Sequence, residues 1–425
     1  MTAASRSLLR SADFLRLWSA ETISQLGTQV TQLAVPLIAA NILGASAFEF
    51  GLLVTLEFLP FILLSLPAGV WVDRLRRRPI LIVGDVGRAL ALLSIPVAHA
   101  LGVLTIWQLY AVGFVNGCLT VFFDVAYQSY LPSLVDRDQL VDGNAKLEMS
   151  RSGAQLLGPS VAGVLIGAFT APTAVVLDAL SFLGSALFVL SIRRPEPEPA
   201  RTVDEHGRGT SMRREVREGL AYVLAHPALR GIAATTATAN LFGNVATAIL
   251  LLFLAREIGM GPEQIGFALS LGAVGFLGGA IVATRAAARI GVGRAILAGA
   301  VLSAPAPLII AIAPAGQMLW AVAASGIVGG LGVAIYNINQ VSLRQAITPE
   351  RMQGRMNATM RFIVWGTIPI GSILGGALGD AVGLRTTIWV GALGSLVSFL
   401  PLLVSPVPGI ERMPAAEPAR GDATG

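Results

Sequence analysis

Cysteine, histidine and charged residues are all scarce in this chain of 425 residues. It has one cysteine and three histidines, and 13% of its residues are charged. The single cysteine, Cys118, excludes an intramolecular disulfide and any CxxC metal site, and we interpret it as a small buried side chain. The histidines, which lack metal-ligand spacing, are His99, His206 and His226. The sequence therefore predicts no metal site and no other cofactor.

Motifs for nucleotide use and for catalysis are also missing. No G-x-x-x-x-G-K-[ST] segment is present to hold nucleotide phosphates, so transport driven by ATP is not expected of this chain alone. No reactive constellation stands out, and we expect no enzymatic activity. Apolar sequence is abundant instead, with 54% apolar residues and 47 glycines. This balance is far from that of a soluble domain and is typical of a polytopic membrane protein.

Twelve apolar segments are long enough to cross a bilayer core of about 30 Å at about 1.5 Å per residue. They cover residues 14–42, 49–72, 79–100, 105–131, 144–168, 172–192, 228–255, 263–287, 293–313, 317–344, 357–379 and 383–404. The predicted organisation is an amino-terminal tail (1–13), a six-helix bundle (14–192), a linker (193–227), a second six-helix bundle (228–404) and a disordered tail (405–425).

Arginine is distributed unevenly between the loops on the two sides of these segments. One set of loops holds Arg74, Arg76, Arg77, Arg78, Arg137, Arg193, Arg194, Arg213, Arg214, Arg217, Arg285, Arg289, Arg294, Arg351 and Arg355. The other set holds only Arg256 and Arg385. By the positive-inside rule, we expect a multi-pass protein of the cytoplasmic membrane with both termini in the cytoplasm. Because these loops account for the net charge of +5, nucleic-acid binding is not expected.

The linker has two parts. It opens with Arg193-Arg194-Pro195-Glu196-Pro197-Glu198-Pro199, where repeated proline disfavours a helix. Further on, Val216, Leu220 and Leu224 recur at i, i+4 and i+8, with charged residues on the opposite face. This pattern predicts an amphipathic helix on the inner leaflet; a helix that binds a partner is the alternative.

An internal repeat supports two related halves. Asn144-Ala145 corresponds to Asn357-Ala358 at an offset of 213 residues. The glycines that follow keep this offset: Gly153, Gly158 and Gly163 match Gly366, Gly371 and Gly376. Gln128 and Gln340 stand at nearly the same offset. Two homologous six-helix bundles with a substrate cavity between them are what such a repeat predicts, and it disfavours a channel.

The loop after the second segment has a distinctive charge pattern, Gly69-Val70-Trp71-Val72-Asp73-Arg74-Leu75-Arg76-Arg77-Arg78-Pro79. Asp73 either neutralises local charge or acts as a gate that docks on a facing group. Gly69, one turn earlier, would let another backbone approach closely. The pattern G-x-x-x-D-R-x-x-R-R resembles the loop motif of the major facilitator superfamily. With Asp85-Val86-Gly87-Arg88-Ala89-Leu90 downstream, it resembles the enterobactin-exporter and macrolide-efflux-like branch.

This resemblance spans Phe14 to about Leu403 and implies an all-α membrane protein with twelve transmembrane helices in two homologous six-helix bundles. It also implies export. Asp124 resembles the acidic partner of the loop arginines, which would form a structural ion pair with Arg74 or Arg88; a role in substrate contact is the alternative. Gly158-Pro159 resembles the glycine–proline motif of antiporters, with a packing kink as the alternative. The gating candidates are Gly69, Asp73, Arg74, Arg77, Arg88, Asp124, Gly158 and Pro159.

Polar residues inside the apolar segments are candidates for function because their burial is costly. A stripe on the first segment either lines the cavity or forms a seam between helices: Glu21, Gln25, Gln29 and Gln32. Neutral groups from the second half would add to the cavity: Asn240, Asn244, Tyr336, Asn337 and Asn339. Glu57 and Glu21 are the candidates for proton coupling, because desolvation favours the protonated carboxyl group. An ionised Glu57 close to the outer water, without a role, is the alternative.

The sequence thus predicts a secondary active transporter. We expect alternating access, with proton-coupled efflux of small amphipathic molecules of drug, macrolide or siderophore type. Its partners would be the small-molecule substrate, protons and the lipid bilayer, with no obligate protein partner. An importer of a polar nutrient is one alternative, favoured by a cavity rich in paired charges or hydrogen-bonding groups. A membrane receptor or assembly protein that keeps the fold without turnover is the other.

Overall fold

A computed structural model describes residues 8–196 and 212–413, and within these ranges the chain forms α-helices and no strand. The helices are α1 (Ala12–Leu37), α2 (Ala47–Arg74), α3 (Arg77–Ala100), α4 (Ile106–Leu134), α5 (Leu140–Phe169), α6 (Ala171–Ser191), α7 (Met212–Ala225), α8 (Pro227–Leu252), α9 (Pro262–Ile290), α10 (Val292–Ser303), α11 (Ala306–Ile312), α12 (Met318–Ile347), α13 (Glu350–Val382), α14 (Leu384–Leu396) and α15 (Leu400–Leu403). Much of the two predicted tails and the middle of the linker lie outside the described residues.

The described residues include 11 helical spans that are long and apolar enough to cross a membrane. Two of these spans join short helices: Val292–Ile312 contains α10 and α11, and Leu384–Leu403 contains α14 and α15. Helix α1 is not among the 11, but its 26 residues suffice to cross, and the predicted polar stripe stands in its middle. With α1, the count agrees with the predicted twelve, and the all-α membrane fold is confirmed.

Local sequence signals explain where several helices begin. Ser46 and Glu49 form a reciprocal capping box at the start of α2, in which Glu49 N donates to Ser46 Oγ at 3.2 Å and Ser46 N donates to Glu49 Oε2 at 2.8 Å. Thr105 caps α4 through its hydroxyl group alone, which accepts from Gln108 N at 3.4 Å. These caps satisfy amide groups that the first helical turn leaves without a partner.

The internal repeat is visible in the backbone. A π-helical turn ends the first crossing helix of each half, at Ile38–Ile42 and at Phe253–Glu257, an offset of 215 residues from 38 to 253. Gly44 and Gly259 follow these turns at the same offset, both with positive φ. Thr170 and Gly383, with φ of 76° and 90°, follow α5 and α13 at the offset of 213 that the sequence repeat predicts. The two halves therefore share local geometry as well as sequence pattern.

Internal contacts divide the chain into two compact units. The first unit is Met1–Val203 with Ile249–Ser270, and the second is Asp204–Ala248 with Leu271–Gly425. The first unit has an apolar core at the end that carries the α2–α3 loop. This core includes Phe14, Leu17, Leu81, Phe123, Tyr130, Leu134 and Val189. The core of the second unit includes Val223, Leu229, Ile232, Ile296, Leu343, Met356, Met360 and Leu402. Each unit thus has its own packed interior.

Small residues let α5 and the beginning of α9 cross closely within the first unit. A Cβ atom at Gly163 would lie 3.0 Å from Glu263 Cα, and one at Gly266 would collide with the carbonyl group of Pro159. Ser160, which follows the proline, donates its backbone N–H to Ser270 Oγ at 2.9 Å. Glycine at these positions therefore permits a backbone contact that no larger residue would allow.

Helix α7 packs on α13 in the second unit. Glu218 forms an ion pair with Arg355 at 2.6 Å, and Val223 is buried against the core. Gly219 allows the approach, because a Cβ there would collide with Thr359. Leu220 and Leu224, from the predicted apolar face, are 39% and 46% exposed, and the side chain of Val216 lies outside the described part. The predicted helix thus exists and uses a neighbouring face for packing.

Candidate substrate cavity

A cavity of about 690 Å³ opens among α1, α4 and α5. Its walls are mostly polar: Glu21, Gln25, Gln29 and Gln32 on α1; Asp124, Tyr127, Gln128 and Leu131 on α4; and Asn144, Leu147, Glu148, Arg151 and Gln155 on α5. All of these residues belong to the first unit. With carboxylates from all three helices and one arginine, the walls carry an excess of negative charge if every group is ionised.

The α1 stripe has the place that the sequence predicts for a cavity wall. Gln25 Nε2 donates a hydrogen bond to Glu21 Oε1 at 2.7 Å, so one turn of the stripe is internally connected. The opposite oxygen of Glu21 is buried and has no hydrogen-bond partner among the described residues. Trp18 Nε1 donates to Ser150 Oγ at 2.7 Å and helps to hold α1 against α5. One carboxylate oxygen of Glu21 is thus left to accept a proton or a ligand hydrogen bond.

The α4 and α5 walls follow from helical spacing that the sequence contains. Asn144, Glu148, Arg151 and Gln155 fall at i, i+4, i+7 and i+11, which is one face of a helix. The site candidates predicted from the sequence do not include Glu148, Arg151, Tyr127 or Gln155. A search for polar stripes in every apolar segment would have found the three α5 residues, because the α5 stripe is as regular as that of α1.

Arg88 is buried in the first unit and pairs with Asp85, as their spacing of three residues predicts, with Arg88 Nη2 and Asp85 Oδ1 2.6 Å apart. The guanidinium carbon lies 4.2 Å from the ring centre of Phe123 and 4.1 Å from that of Phe182. Among the described residues, the ion pair of Arg88 is thus with Asp85 and not with Asp124. The other expected counter-charge, Arg74, is exposed at the end of α2.

Glu57 lies away from the cavity, at the crossing of α2 and α4. Its side chain packs on Gly113, where a Cβ atom would lie 3.0 Å from Glu57 Cγ and 3.7 Å from Oε1. One turn further, Gly117 faces the Glu57 carbonyl group and Pro60. The two predicted proton-coupling carboxylates therefore have different surroundings, since Glu21 faces the cavity and Glu57 faces a helix interface.

The α2–α3 loop and the end of α2 hold the predicted gating residues. Among the described residues, no atom lies within 4 Å of a Cβ placed on Gly69, and the close backbone approach there stays a prediction. Asp73 belongs to the last turn of α2, and its side chain lies outside the described part. Arg77 begins α3, and its backbone N–H donates to Glu196 Oε1 at 2.6 Å. This loop is therefore tied to the beginning of the linker.

Gly158 and Pro159 have two different neighbours. A Cβ atom at Gly158 would collide with the side chain of Gln29, so this glycine brings α5 against the polar stripe of α1 within the first unit. Pro159 presents its carbonyl group to Gly266. The glycine therefore shapes the cavity wall, and the proline lies at the α5–α9 crossing.

The polar candidates of the second half hydrogen-bond within their own unit. Tyr336, which is buried, shares a 2.6 Å hydrogen bond with Thr236. Asn339, also buried, donates to the carbonyl groups of Ala283 and Ile335. The remaining contacts are Asn240 with Val364 O, Asn244 with Asn240 O, and Asn337 with Gln340. The cavity described above is lined by residues of the first unit, and a substrate-binding role of these five residues stays a prediction.

Comparison with known proteins identifies the family. The family model described as transmembrane secretion effector matches residues 3–420, nearly the whole chain. The chain belongs to the transmembrane secretion effector family of the major facilitator superfamily. The predicted family is thereby confirmed, and the chain falls among transporters and not among enzymes.

Relatives of this family member include bacterial transporters. The multidrug efflux pump Tap of Mycolicibacterium fortuitum is 27% identical over 401 residues, covering 89% of this chain and 93% of Tap. The uncharacterized MFS-type transporter YfiS of Bacillus subtilis is 26% identical over 62% of this chain, and the match spans 61% of YfiS, less than two thirds of its length. A solved bacterial homologue of the iron transporter ferroportin shares the fold, with a TM-score of 0.74 at 16% identity over 94% of this chain and 99% of that one.

Proposed function

We propose that this family member is a secondary active transporter that exports small amphipathic molecules by alternating access, in exchange for protons. The observation that carries the proposal is the polar cavity, which has space for a small molecule and holds the carboxylates of Glu21, Asp124 and Glu148. Export is supported by the efflux activity named for Tap. The family resemblance that the loop motif carries adds to this support.

The chemistry of the cavity supports a substrate with a basic group. Three carboxylates and one arginine attract a cation, while the surrounding amides offer donors and acceptors to hydroxyl or carbonyl groups. Substrates of drug, macrolide or siderophore type would place such polar groups in the cavity. A purely apolar molecule would leave the carboxylates desolvated without compensation, which is costly.

Protons would supply the driving force. Glu21 lies in the cavity, where a cationic substrate and a proton compete for the same carboxylate. Glu57 lies at the α2–α4 crossing, where packing on Gly113 disfavours a free charge. We propose that Glu57 loads the proton and that Glu21 senses the substrate.

The test uses inverted membrane vesicles that carry the chain. A pH gradient should drive accumulation of a fluorescent amphipathic cation by the parent protein. Glu57→Gln should abolish this accumulation but leave counterflow exchange, and Glu21→Gln should weaken substrate binding in both assays. If both variants concentrate the cation as the parent does, these carboxylates do not couple transport. Asp124→Asn would then be the next variant to measure.

Import of a polar solute is the second candidate, because the cavity is rich in amides and charged groups. Transport direction distinguishes the two. Right-side-out vesicles should accumulate a polar solute such as an amino sugar if the chain is an importer, and an exporter should concentrate cations only in inverted vesicles. We further propose that both termini are cytoplasmic, and a protease-accessible tag at each terminus of the parent chain tests this.

A further inference from the structure

Asp178 is a buried carboxylate in α6 outside the cavity lining. It is 1% exposed, and its Oδ1 accepts a 3.0 Å hydrogen bond from Ser181 Oγ on its own helix. Gly27 of α1 packs directly on this pair, since a Cβ atom there would collide with both side chains. Among the described residues, no lysine or arginine lies within ion-pair distance of Asp178. No residue of its segment, 172–192, appears among the site candidates that we predict from the sequence.

The arginine that acts on Asp178 is already committed to another group. Arg88 forms its 2.6 Å ion pair with Asp85, and both side chains are at most 5% exposed. Its guanidinium lies on the ring of Phe182, one turn along α6 from Asp178. Around Asp178, the described groups are Ser181, which donates to it, Gly27 of α1, and Phe182, on whose ring the guanidinium of Arg88 lies. Arg88, which pairs with Asp85, is the one buried cation among the described residues, so a single cation serves both buried carboxylates.

The same arginine lies next to the cavity, with its guanidinium 4.2 Å from the ring centre of Phe123, the residue before Asp124. The buried charged side chains of the described residues are Glu21, Asp85, Asp178 and Arg88, whereas Asp124 and Arg151 are exposed to the cavity. One arginine cannot neutralise three buried carboxylates. Because an uncompensated buried charge is very costly, the excess is removed most simply by protons. Asp178 is the member with neither an ion pair nor access to the cavity.

We propose that Asp178 is a proton-binding site that is coupled to the substrate cavity through Arg88. The coupling to transport rests on the proposed function, whereas proton binding by Asp178 does not depend on it. A cation that binds Glu21 or Asp124 reduces the pull of those carboxylates on Arg88. The arginine field then acts more strongly on Asp85 and Asp178, and Asp178 releases its proton. By linkage, protonation of Asp178 weakens cation binding in the cavity, which is the exchange that an antiporter requires.

Infrared difference spectroscopy of the purified full chain in lipid nanodiscs tests the site directly. The parent protein should show a carboxylic-acid C=O stretch near neutral pH that is lost in Asp178→Asn. The matched control is Asp142→Asn, which alters a 54% exposed aspartate paired with Lys146 on α5 and should keep the band. A band that is unchanged in a folded Asp178→Asn protein overturns the proposal. If that variant does not fold, Ser181→Ala replaces it, and the band must shift for the proposal to stand.

Coupling is tested by proton release, with tetraphenylphosphonium as the cation. Binding should release about one proton per protein molecule in the parent and markedly less in Asp178→Asn. Equal release by both proteins overturns the coupling. If the infrared band depends on Asp178 but the parent shows no transport driven by a pH gradient, the proposed function fails and the proton site stands. If the parent shows transport driven by a pH gradient but the band does not depend on Asp178, the proton site fails and the proposed function stands.

Discussion

Glu196 Oε1 lies 2.6 Å from the backbone nitrogen of Arg77, although 119 residues separate the two in the sequence. Its second oxygen accepts from Arg78 N at 3.1 Å, so one carboxylate caps the start of α3, where Arg76 provides no side-chain cap. The second unit has an equivalent contact made by backbone alone, from Val292 N to Glu411 O at 3.3 Å. In both units, the segment that follows the last crossing helix is hydrogen-bonded to the start of the third crossing helix, α3 or α10.

Glu196→Ala should therefore destabilise the protein by about 1–2 kcal/mol, because it removes a charged cap from two helical N–H groups. Glu196→Gln should retain part of this stability. Thermal unfolding in detergent measures both. The matched control is Glu411→Ala, which leaves the backbone acceptor in place and should have little effect. A loss of stability as large in Glu411→Ala as in Glu196→Ala would contradict this account.

Asp13 ties the start of α1 to the end of α6 and makes stability depend on acid pH. It accepts hydrogen bonds from the backbone of Arg193 and Arg194, both at 3.0 Å, and pairs with Arg16 at 2.7 Å. Burial acts to raise the pKa of Asp13, but these hydrogen bonds and the Arg16 charge outweigh it and lower the pKa below its ordinary value. The unfolded chain then binds the proton first as pH falls. This contribution is complete above a pH of about 4 and is lost below it.

Asp13→Asn should remove that dependence. The variant should be less stable than the parent at pH 7, and the difference should shrink between about pH 4 and pH 2. Unfolding midpoints measured across this range for both proteins check the sign. A difference that grows on acidification would show that Asp13 does not act through its ionised form.

Gly158→Leu should reduce transport, because the added side chain would collide with Gln29 and disturb the cavity wall. Overpacking of this kind typically costs about 1–3 kcal/mol. The control is Gly153→Leu on the same helix, where nothing lies within 4 Å of the added Cβ among the described residues. Substrate flux into vesicles, corrected for expression, compares the two. Equal flux in both variants would mean that the Gln29 contact is unimportant.

The Asp85–Arg88 pair should be strongly coupled in a double-mutant cycle. Arg88→Leu leaves Asp85 without its buried partner, which should cost about 3–5 kcal/mol. Asp85→Leu in the same protein should recover much of that loss, since no isolated member of this pair then remains. Chemical unfolding of the two single variants and the double variant measures the coupling. Additive losses would show that Asp85 is stabilised by other groups.

Thr170 is strained, and its replacement by glycine should stabilise the protein. Its φ of 76° and ψ of 155° lie in a region that is essentially confined to glycine. The equivalent residue of the second half is Gly383, with φ of 90°. Thr170→Gly should raise stability by about 1 kcal/mol, and Gly383→Thr should lower it by a similar amount or more. A lower unfolding temperature for Thr170→Gly would show that the threonine side chain compensates for the backbone.

Much of this protein could be predicted from local sequence. Long apolar segments require helices in a membrane, because only they satisfy every backbone group there. The repeat predicts two related halves, and the spacing of the α1 stripe makes it a candidate for a cavity wall or for a seam between helices. The pairing of Asp85 with Arg88 follows in the same way, since residues three apart lie on one face of a helix.

Tertiary structure decided which faces meet. The same rules of spacing place Glu21 and Glu57 equally well on their helices, but only packing puts Glu21 in the cavity and Glu57 against Gly113. The cap that Glu196 provides has no local signal, because it depends on a helix distant in sequence. The position of Asp178 in an apolar segment indicates a costly burial, but only the structure shows that Ser181 and Gly27 are its neighbours. The hydrophobic pattern of the sequence indicates which residues are costly to expose or to bury. Which group compensates for that cost is determined when the helices pack and exclude solvent from particular side chains.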